Sequence, residues 1–407
     1  MKRAIALAGG GPAAGLHIGV LDRLNQANMK FDVWALSCIG AWVGIVYNQC
    51  DPGKEVEQTY NFFRNNVFRD DRSYSKFPIN SVFGPDWGTI QRAMTGFLSN
   101  PETYKDLWLP DRIMESFRQT MALCTDPSKW NEGDINQWML NHVMAPNPFV
   151  RFWTSMMFLS HVNGLSRIYY PDSSFMKGIK FDKLYEPGKP RILHNAWNIT
   201  KQTLELFSNE AKRGKHYKPV TAASLCACSA LPFIEGTVDI DGDTYCEGAL
   251  VDTVNFKDLL EDHHDVDEIW VSRIVDAKQI RAPKNLTDAL GNLCQLFAAT
   301  VGEDDVKLFI YHVKEENAKK DSKKKWYGTV VEIQVDHNVN FEWSHSNLDQ
   351  GRKNGYRAAD EAYRAYLQQT RGQKNDTHDV RVVQPKPLDR KTRRKKHHDD
   401  HDDKQAA

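Results

Sequence analysis

The first fifty residues contain two apolar segments, each followed by a turn and a helix-like segment, and this order limits the fold more than any other feature. Residues 3–8 have the composition of a short buried strand, and apolar residues recur at helical spacing over 16–24. Residues 31–37 predict a second strand and residues 41–50 a second helix. This βαβα order is typical of parallel sheets covered by helices, so the sequence predicts an α/β fold with a mainly parallel central sheet.

Composition and charge narrow the class of protein. The 407 residues are 41% hydrophobic and 26% charged, which is typical of a globular chain rather than a disordered one. Lys+Arg and Asp+Glu are both 53, and a net charge of zero argues against a nucleic-acid partner. The seven cysteines include no CxxC pair, and the apolar run at the N-terminus is too short for a signal peptide. We therefore expect reduced thiols and a cytoplasmic protein.

Residues 33–50 carry no charge, and this length raises the question of a membrane span. Ser37, two glycines, Asn48 and Gln49 interrupt the segment. A buried strand, turn and helix explain the missing charge equally well, and we expect that arrangement.

A glycine-rich loop, AGGGPAAG, separates the first strand from the first helix. Such a loop presents backbone N–H groups and the positive end of a helix to an anion. It could bind the pyrophosphate of a dinucleotide, but that function needs an acidic residue at the end of the second strand, and Asp32 stands at its beginning. It could equally serve as an oxyanion hole, or as a tight turn with no chemical role.

The second strand ends in the sequence Leu36-Ser37-Cys38-Ile39-Gly40 and leads directly into a helix. This is the layout of a nucleophile elbow, G-x-S-x-G, with leucine at the first glycine position and cysteine at the nucleophile position. A cysteine at a helix N-terminus is competent for acyl transfer, and we expect its pKa to be lowered there. Taken alone, Cys38 could also be a small core residue.

Three further segments follow much later in the chain: Ala222-Ala223-Ser224, Ser229 to Phe233, and the sequence YCEGALVD over 245–252. Together with the glycine loop and the elbow, they resemble the patatin-like phospholipase family, in the order in which that family carries its motifs. The resemblance implies a three-layer α/β/α domain that hydrolyses lipid or other hydrophobic carboxylic esters, without a metal or cofactor. It leaves peripheral contact with a membrane surface open.

The family uses a serine–aspartate dyad. Carried over by position, the nucleophile is Cys38, the carboxylate is Glu247, and the oxyanion donors are Gly9, Gly10 and Gly11. Both dyad residues are therefore substituted. The chain could be an active Cys–Glu acyl hydrolase, an inactive member that binds lipid or protein, an enzyme that uses another pair, or a nucleotide-binding protein. Neighbouring polar groups are interpreted as structural: Ser37, His17, Asp241, Asp243 and Asp252.

We divide the chain into a patatin-like domain over 1–371 and a charged, disordered tail over 372–407. The tail contains 10 Lys+Arg and 7 Asp. Residues 51–190 match no motif and are predicted to be an aromatic-rich insert or cap. Further strands are predicted at 151–162, 191–200, 203–209, 267–275 and 329–335, and further helices at 221–232, 286–301 and 348–369.

Overall fold

The chain is described from a computed structural model. The description covers residues 1–76, 82–85, 87–101, 110–126, 128, 132–144, 147, 150, 164–168, 173–210, 217–256, 259, 265–273, 280–284, 286–335, 340–370 and 379–385. These residues divide into two compact units. The first comprises residues 1–83, 168–231 and 237–407, and the second comprises residues 84–167 and 232–236.

The first unit is built on a mixed sheet to which, in the described residues, ten strands contribute. Its order is β13-β12-β11-β1-β2-β5-β10-β9, with β6 on β5 and β7 on β6. The pairs from β13 to β5 are all parallel, whereas β10 and β6 run antiparallel to β5. The strands of this sheet are β1 Arg3–Leu7, β2 Val33–Leu36, β5 Arg191–Asn198, β6 Thr203–Ser208, β7 Tyr217–Pro219, β9 Val238–Ile240, β10 Asp243–Glu247, β11 Glu268–Arg273, β12 Thr329–Gln334 and β13 Arg381–Val383.

Helices cover both faces of this sheet, and the strand alternation shows why. In β1, Ile5 and Leu7 join the core under one helical layer, whereas Ala4 and Ala6 join the core on the opposite face. The three-layer α/β/α architecture expected from the family resemblance is therefore confirmed. The helices of this unit are α1 Ala14–Gln26, α2 Ile39–Gln49, α3 Glu55–Asn66, α4 Asp71–Lys76, α8 Ser174–Gly178, α9 Ala222–Cys228, α10 Leu286–Ala318 and α11 His345–Thr370.

Helices α1 and α11 approach each other closely enough for their backbones to touch. A methyl group at Gly19 would lie 2.0 Å from the carbonyl oxygen of Arg352, and one at Gly355 would lie 2.0 Å from that of Leu16. No side chain fits at either position. Since α1 directly follows the glycine loop, this contact also fixes the position of the C-terminal end of that loop.

The described residues of the second unit form three α-helices and contribute to a small sheet. These helices expose large apolar side chains, among them Trp87, Phe117 and Met139. The second unit covers a shorter range of the chain than the insert predicted over 51–190. Phe63 and Phe175, near the two ends of that predicted insert, are buried in the core of the first unit. Its elements are α5 Trp87–Ser99, α6 Pro110–Thr125 and α7 Glu132–Met139, with strands β3 Phe83–Pro85, β4 Gly164–Ile168 and β8 Phe233–Glu235, of which Phe83 and Ile168 fall in the first unit.

The folded chain continues beyond Arg371, where the sequence placed the end of the domain. Arg381–Val383 pairs with β12 and extends the main sheet, so the predicted boundary is too early. The predicted strand at 151–162 and the charged segment from residue 386 onward lie outside the described residues. No helix that the structure describes is both long and apolar enough to cross a bilayer.

The contact between α1 and α11 predicts that Gly→Ala substitution in α11 destabilises the fold, the opposite of its usual effect inside a helix. Gly355→Ala should lower the free energy of unfolding by about 1–3 kcal/mol through overpacking, although alanine normally favours a helix. The control is Gly302→Ala in α10, where a methyl group would make only ordinary contacts, the nearest at 3.5 Å to Arg273. Urea unfolding checks both variants, and equal or greater stability of Gly355→Ala would contradict the packing described above.

Candidate active site

The register of the sheet brings the ends of two strands head to head. Along one edge of β5, the parallel strand β2 ends with Leu36 opposite His194. On the same strand β5, the antiparallel strand β10 ends with Glu247 opposite Ala196. The two ends are thus separated by two residues of β5, about 7 Å at the rise of a strand. The residues that follow Leu36 therefore meet Glu247.

Cys38 stands at the turn between β2 and α2 and has a strained backbone. Its φ is 48° and its ψ is −122°, a combination that costs a non-glycine residue energy. The turn is so tight that only glycine fits two positions later, at residue 40. A methyl group at Gly40 would lie 2.1 Å from the carbonyl oxygen of Leu7 in β1, and that oxygen also accepts a hydrogen bond from the Ser37 amide. The local geometry is that of the nucleophile elbow expected from the sequence.

The side chains of Cys38 and Glu247 lie close enough for each to shift the pKa of the other. Burial raises the pKa of Glu247 to about 7, and its interaction with the Cys38 thiol partly opposes this effect. Burial and the neighbouring Glu247 charge raise the pKa of the Cys38 thiol well above its ordinary value. The lowered pKa that we expected for Cys38 from the helix N-terminus is therefore wrong, because desolvation and a nearby negative charge outweigh the helix dipole.

Buried polar side chains tie the elbow to the segment that follows Glu247. The Ser37 hydroxyl donates to Oδ1 of Asn195 at 2.9 Å, and Nδ2 of Asn195 donates to the backbone oxygen of Asp252 at 2.7 Å. Nδ2 of Asn255 donates to the backbone oxygen of Leu36 at 3.1 Å. Ser37 is thus a structural residue, as the sequence analysis interpreted it.

Two neighbours of the pair could not be found from sequence. The Cys38 amide donates to Sγ of Cys228 in α9 at 3.1 Å, and the Glu247 amide donates to the backbone oxygen of Ala230 at 2.9 Å. Cys228 is fully buried. The motif of small residues before Pro232 therefore supports both members of the pair.

The glycine loop lies beside the pair, but its three residues have different roles. The Gly9 amide donates to the backbone oxygen of Thr253 at 3.2 Å, so it is already occupied. A methyl group at Gly9 would lie 2.9 Å from Cβ of Ala249 and 3.2 Å from Cβ of Cys38. Among the described residues, the amides of Gly10 and Gly11 donate no hydrogen bond. Gly9 thus allows a close approach, and Gly10 and Gly11 are the amides that could contact an anion.

Two residues distant in sequence support this loop. Gly11 has a φ of 60°, and the ring of Phe341 lies where a side chain at this position would project, 2.5 Å from a hypothetical Cβ. Oδ2 of Asp305 in α10 accepts hydrogen bonds from the amides of Thr253 and Val254 at 2.8 and 3.1 Å. Since the Thr253 carbonyl binds Gly9, Asp305 connects α10 to the glycine loop. No motif in the sequence marks either residue.

The other polar groups weighed in the sequence lie away from the pair. His17 is fully buried between the Ser272 hydroxyl and the backbone oxygen of Ala8, both at 2.9 Å, and burial lowers its pKa to about 4. It is a neutral packing histidine, as interpreted. Asp32 accepts a hydrogen bond from the Arg3 amide at the opposite end of the sheet. Among the residues that the structure describes, no cluster of histidine, cysteine and carboxylate side chains could hold a metal ion.

An α/β/α domain with a strained elbow beside a glycine loop defines a class of acyl-transfer proteins. Comparison of the sequence with known protein families identifies the family within this class. The profile of patatin-like phospholipases matches residues 5–260. The chain therefore belongs to the patatin-like phospholipase family, whose members are lipid acyl hydrolases. A comparison with curated proteins found no match.

Among solved structures, the chain is similar to VipD from Legionella pneumophila. The identity is 13%, the TM-score is 0.38, and the alignment covers 89% of this chain. The chain spans 66% of the length of VipD.

The buried Glu247 carboxylate predicts a pH-dependent stability. Its pKa is about 7 in the fold and 4.5 when exposed, so its protonated form stabilises the fold below pH 4.5, and that stability is lost as the pH rises through 7. Glu247→Gln cannot ionise. Relative to the native chain it should gain on the order of 3 kcal/mol between pH 4.5 and pH 8.

Urea unfolding of both proteins across this range measures the difference, in which contributions from other titrating groups cancel. The matched control is Asp304→Asn, which removes an exposed carboxylate on α10 instead of a buried one. A pH-independent difference for Glu247→Gln would show that Glu247 is not a buried carboxylate.

Proposed function

We propose that this protein is an acyl hydrolase in which Cys38 is the nucleophile and Glu247 is the general base. The position of the Cys38 thiol, at a strained turn and beside the buried Glu247 carboxylate, is the observation that carries the proposal. An inactive relative would have no need of a strained backbone at Cys38 or of a carboxylate held out of water beside it. The intact pair therefore favours an active enzyme over an inactive binding protein.

In the first step, the Glu247 carboxylate accepts the thiol proton while Sγ of Cys38 attacks the acyl carbonyl carbon. A raised thiol pKa makes this base necessary, because the free thiolate is scarce at neutral pH. The Gly10 and Gly11 amides are the proposed donors to the oxyanion of the tetrahedral intermediate. Gly9 contributes the close approach that places this loop against Cys38.

The intermediate collapses when the bond from carbon to the leaving group breaks and Glu247 returns the proton to that group. An acyl thioester on Cys38 remains. Water then attacks this thioester while Glu247 accepts a proton from the water molecule. The carbon–sulfur bond breaks, Glu247 gives that proton to Sγ of Cys38, and the carboxylic acid is released. A carboxyl group with a pKa of about 7 suits both directions of proton transfer at neutral pH.

Substitution of the pair tests this proposal. With p-nitrophenyl butyrate, Cys38→Ala should reduce hydrolysis to background, and Glu247→Gln should reduce kcat/KM by ~10²–10⁴-fold. The control is Cys124→Ala, an exposed thiol in α6, which should leave the rate unchanged. If Cys38→Ala hydrolysed the ester as fast as the native chain, Cys38 would not be the nucleophile.

The rate should also depend on pH in a direction that follows from Glu247. Only the carboxylate form accepts the thiol proton, so kcat/KM should rise about tenfold per pH unit below 7 and level off above it. Measurement of kcat/KM from pH 5 to pH 9 checks this expectation. A rate that is flat across pH 7 would exclude Glu247 as the base.

We further propose that the lipid substrate is met at a membrane surface, through the first half of α10. Residues 289–302 carry no charge, and Leu293, Leu296 and Phe297 are exposed on one helix face. Burial raises the pKa of Cys294, in the same stretch, and the nearby Glu247 charge adds to this effect. The apolar face thus begins beside the proposed site, and an uncharged surface fits a neutral lipid headgroup layer.

Vesicle binding measures this contact. Phe297→Ser should weaken sedimentation with neutral phosphatidylcholine vesicles several-fold, while hydrolysis of a soluble ester stays unchanged. Tyr311→Ser is the matched control, since Tyr311 is equally exposed on α10 but lies four turns farther along the helix. Equal binding by the native chain and both variants would place the membrane contact elsewhere.

A further inference from the structure

We infer that Cys38 and Cys228 form a reversible redox site, in which hydrogen peroxide joins the two thiols in a disulfide bond. Peroxide oxidises Cys38 first, and Cys228 then closes the bond. Formation of the disulfide depends on the two cysteines and on Glu247 near them. Its consequence, the loss of hydrolysis, rests on the proposed function, because it takes Cys38 as the nucleophile.

The two cysteines reach the same point from distant parts of the chain. The Cys38 amide donates to Sγ of Cys228 at 3.1 Å. This nitrogen is one bond from Cα of Cys38, so Sγ of Cys228 lies at most about 4.6 Å from that Cα. The two Cα atoms of a disulfide are about 4.4–6.8 Å apart, with both sulfurs between them. Sγ of Cys228 is therefore within reach of the Cys38 side chain, and bond formation requires rotation of side chains rather than a large movement of the backbone.

Exposure gives the two thiols different roles. Cys38 is partly exposed, whereas Cys228 is fully buried. Peroxide from solvent therefore meets Cys38 first. An accessible cysteine beside a second cysteine that can resolve its oxidised form is typical of redox-sensitive sites. Cys228 is the resolving thiol, since it is shielded from solvent and already contacts the residue that is oxidised.

The reaction of either thiol needs a base, and Glu247 is near both. Burial raises the pKa of Cys38 and of Cys228, and the Glu247 charge adds to this effect at each thiol. Since the thiolate is the reactive form, neither cysteine reacts readily on its own at neutral pH. The Glu247 carboxylate can accept the proton of each thiol in turn, as it does for Cys38 in the proposed hydrolysis.

The reaction is balanced with hydrogen peroxide as the added reactant. Glu247 accepts the Cys38 proton while Sγ attacks one peroxide oxygen, the bond between the two oxygens breaks, and the departing hydroxide takes the proton and leaves as water. Cys38 is then a sulfenic acid. Glu247 next accepts the Cys228 proton while Sγ of Cys228 attacks Sγ of Cys38, and the hydroxide of the sulfenic acid leaves as a second water. Two thiols are oxidised to a disulfide, and one peroxide is reduced to two waters.

The disulfide both blocks and protects the proposed nucleophile. A sulfur bonded to Cys228 cannot attack an acyl carbonyl carbon. It is also shielded from further oxidation to a sulfinic acid, which thiol reagents do not reverse. Exchange with a small thiol restores Cys38 and Cys228. Peroxide therefore switches the site off reversibly.

Peptide mapping of the native full-length chain tests the disulfide directly. After treatment with hydrogen peroxide and alkylation of the remaining thiols, mass spectrometry should find Cys38 joined to Cys228 with the loss of two hydrogen atoms, and dithiothreitol should reverse this change. A bond from Cys38 to any other cysteine would overturn the inference, as would conversion of Cys38 to a sulfinic acid without a disulfide. The measurement needs neither a variant nor an active enzyme.

Two variants of α9 test the reversibility. Cys228→Ala and Cys226→Ala each remove one buried thiol from the same helix, and Cys226 is the matched control because residues two apart do not share a helix face. Excess peroxide should lower hydrolysis of p-nitrophenyl butyrate at least ~10-fold in the native chain and in Cys226→Ala, and dithiothreitol should restore both rates. Cys228→Ala should recover at most about a tenth of its own untreated rate, because its sulfenic acid is oxidised further.

The outcomes separate the inference from the proposed function. Full recovery of Cys228→Ala after excess peroxide would overturn the inference. A mapped disulfide between Cys38 and Cys228 that leaves the rate of hydrolysis unchanged would contradict Cys38 as the nucleophile, and it would confirm the redox site.

Discussion

The backbone of Cys38 has a positive φ, and much of the first unit serves to hold it there. A non-glycine residue in such a conformation costs about 1–3 kcal/mol and keeps it only when its surroundings leave no alternative. Here the parallel pairing of β1 with β2 presents the Leu7 carbonyl to the turn. Gly40 lets α2 begin against that same oxygen. The thiol held at this turn lies near Glu247, the last residue of β10.

The site also depends on the relative positions of three loops from distant parts of the chain. The glycine loop, the elbow and the turn after Glu247 are joined by buried hydrogen bonds through Asn195, Thr253 and Asn255. Elements from the C-terminal third hold them from outside. Asp305 of α10 binds the Thr253 turn, and α11 packs on α1 without space for side chains. A shift in any of these elements would displace the glycine loop relative to Cys38.

Burial of Glu247 links chemistry to stability. A carboxylate out of water is costly, and its raised pKa expresses that cost. In the proposed mechanism, the ionised form of Glu247 that accepts a proton from Cys38 is therefore the form that destabilises the fold. Such a conflict is typical of sites where function, rather than packing, selects the residue. Burial also explains why the Cys38 thiol and the Glu247 carboxyl stay mostly protonated below neutral pH.

The sequence by itself determined the order of elements and the elbow, and it named Cys38 and Glu247 as the candidate pair. Apolar runs in the strands, glycine before a helix and the spacing of Leu36, Cys38 and Gly40 are local signals, and the elements of the structure follow them closely. Predictions from local signals were wrong for properties that depend on contacts between distant parts of the chain. The Cys38 pKa moved opposite to expectation, β13 lies beyond the predicted domain end, and Phe63 belongs to the main core rather than to an insert.

Only the tertiary structure decided which groups surround the thiol. Asp305 and Phe341 reach the site from elements far along the chain, and neither stands in a recognisable motif. Gly9 and Cys228 do lie in or beside motifs, but no motif shows that the Gly9 amide donates to a carbonyl more than two hundred residues away, or that Sγ of Cys228 accepts from the Cys38 amide. Sequence patterns record the residue types that a backbone turn requires. Desolvation, charge proximity and hydrogen-bond partners depend on distances that exist only once the chain has folded.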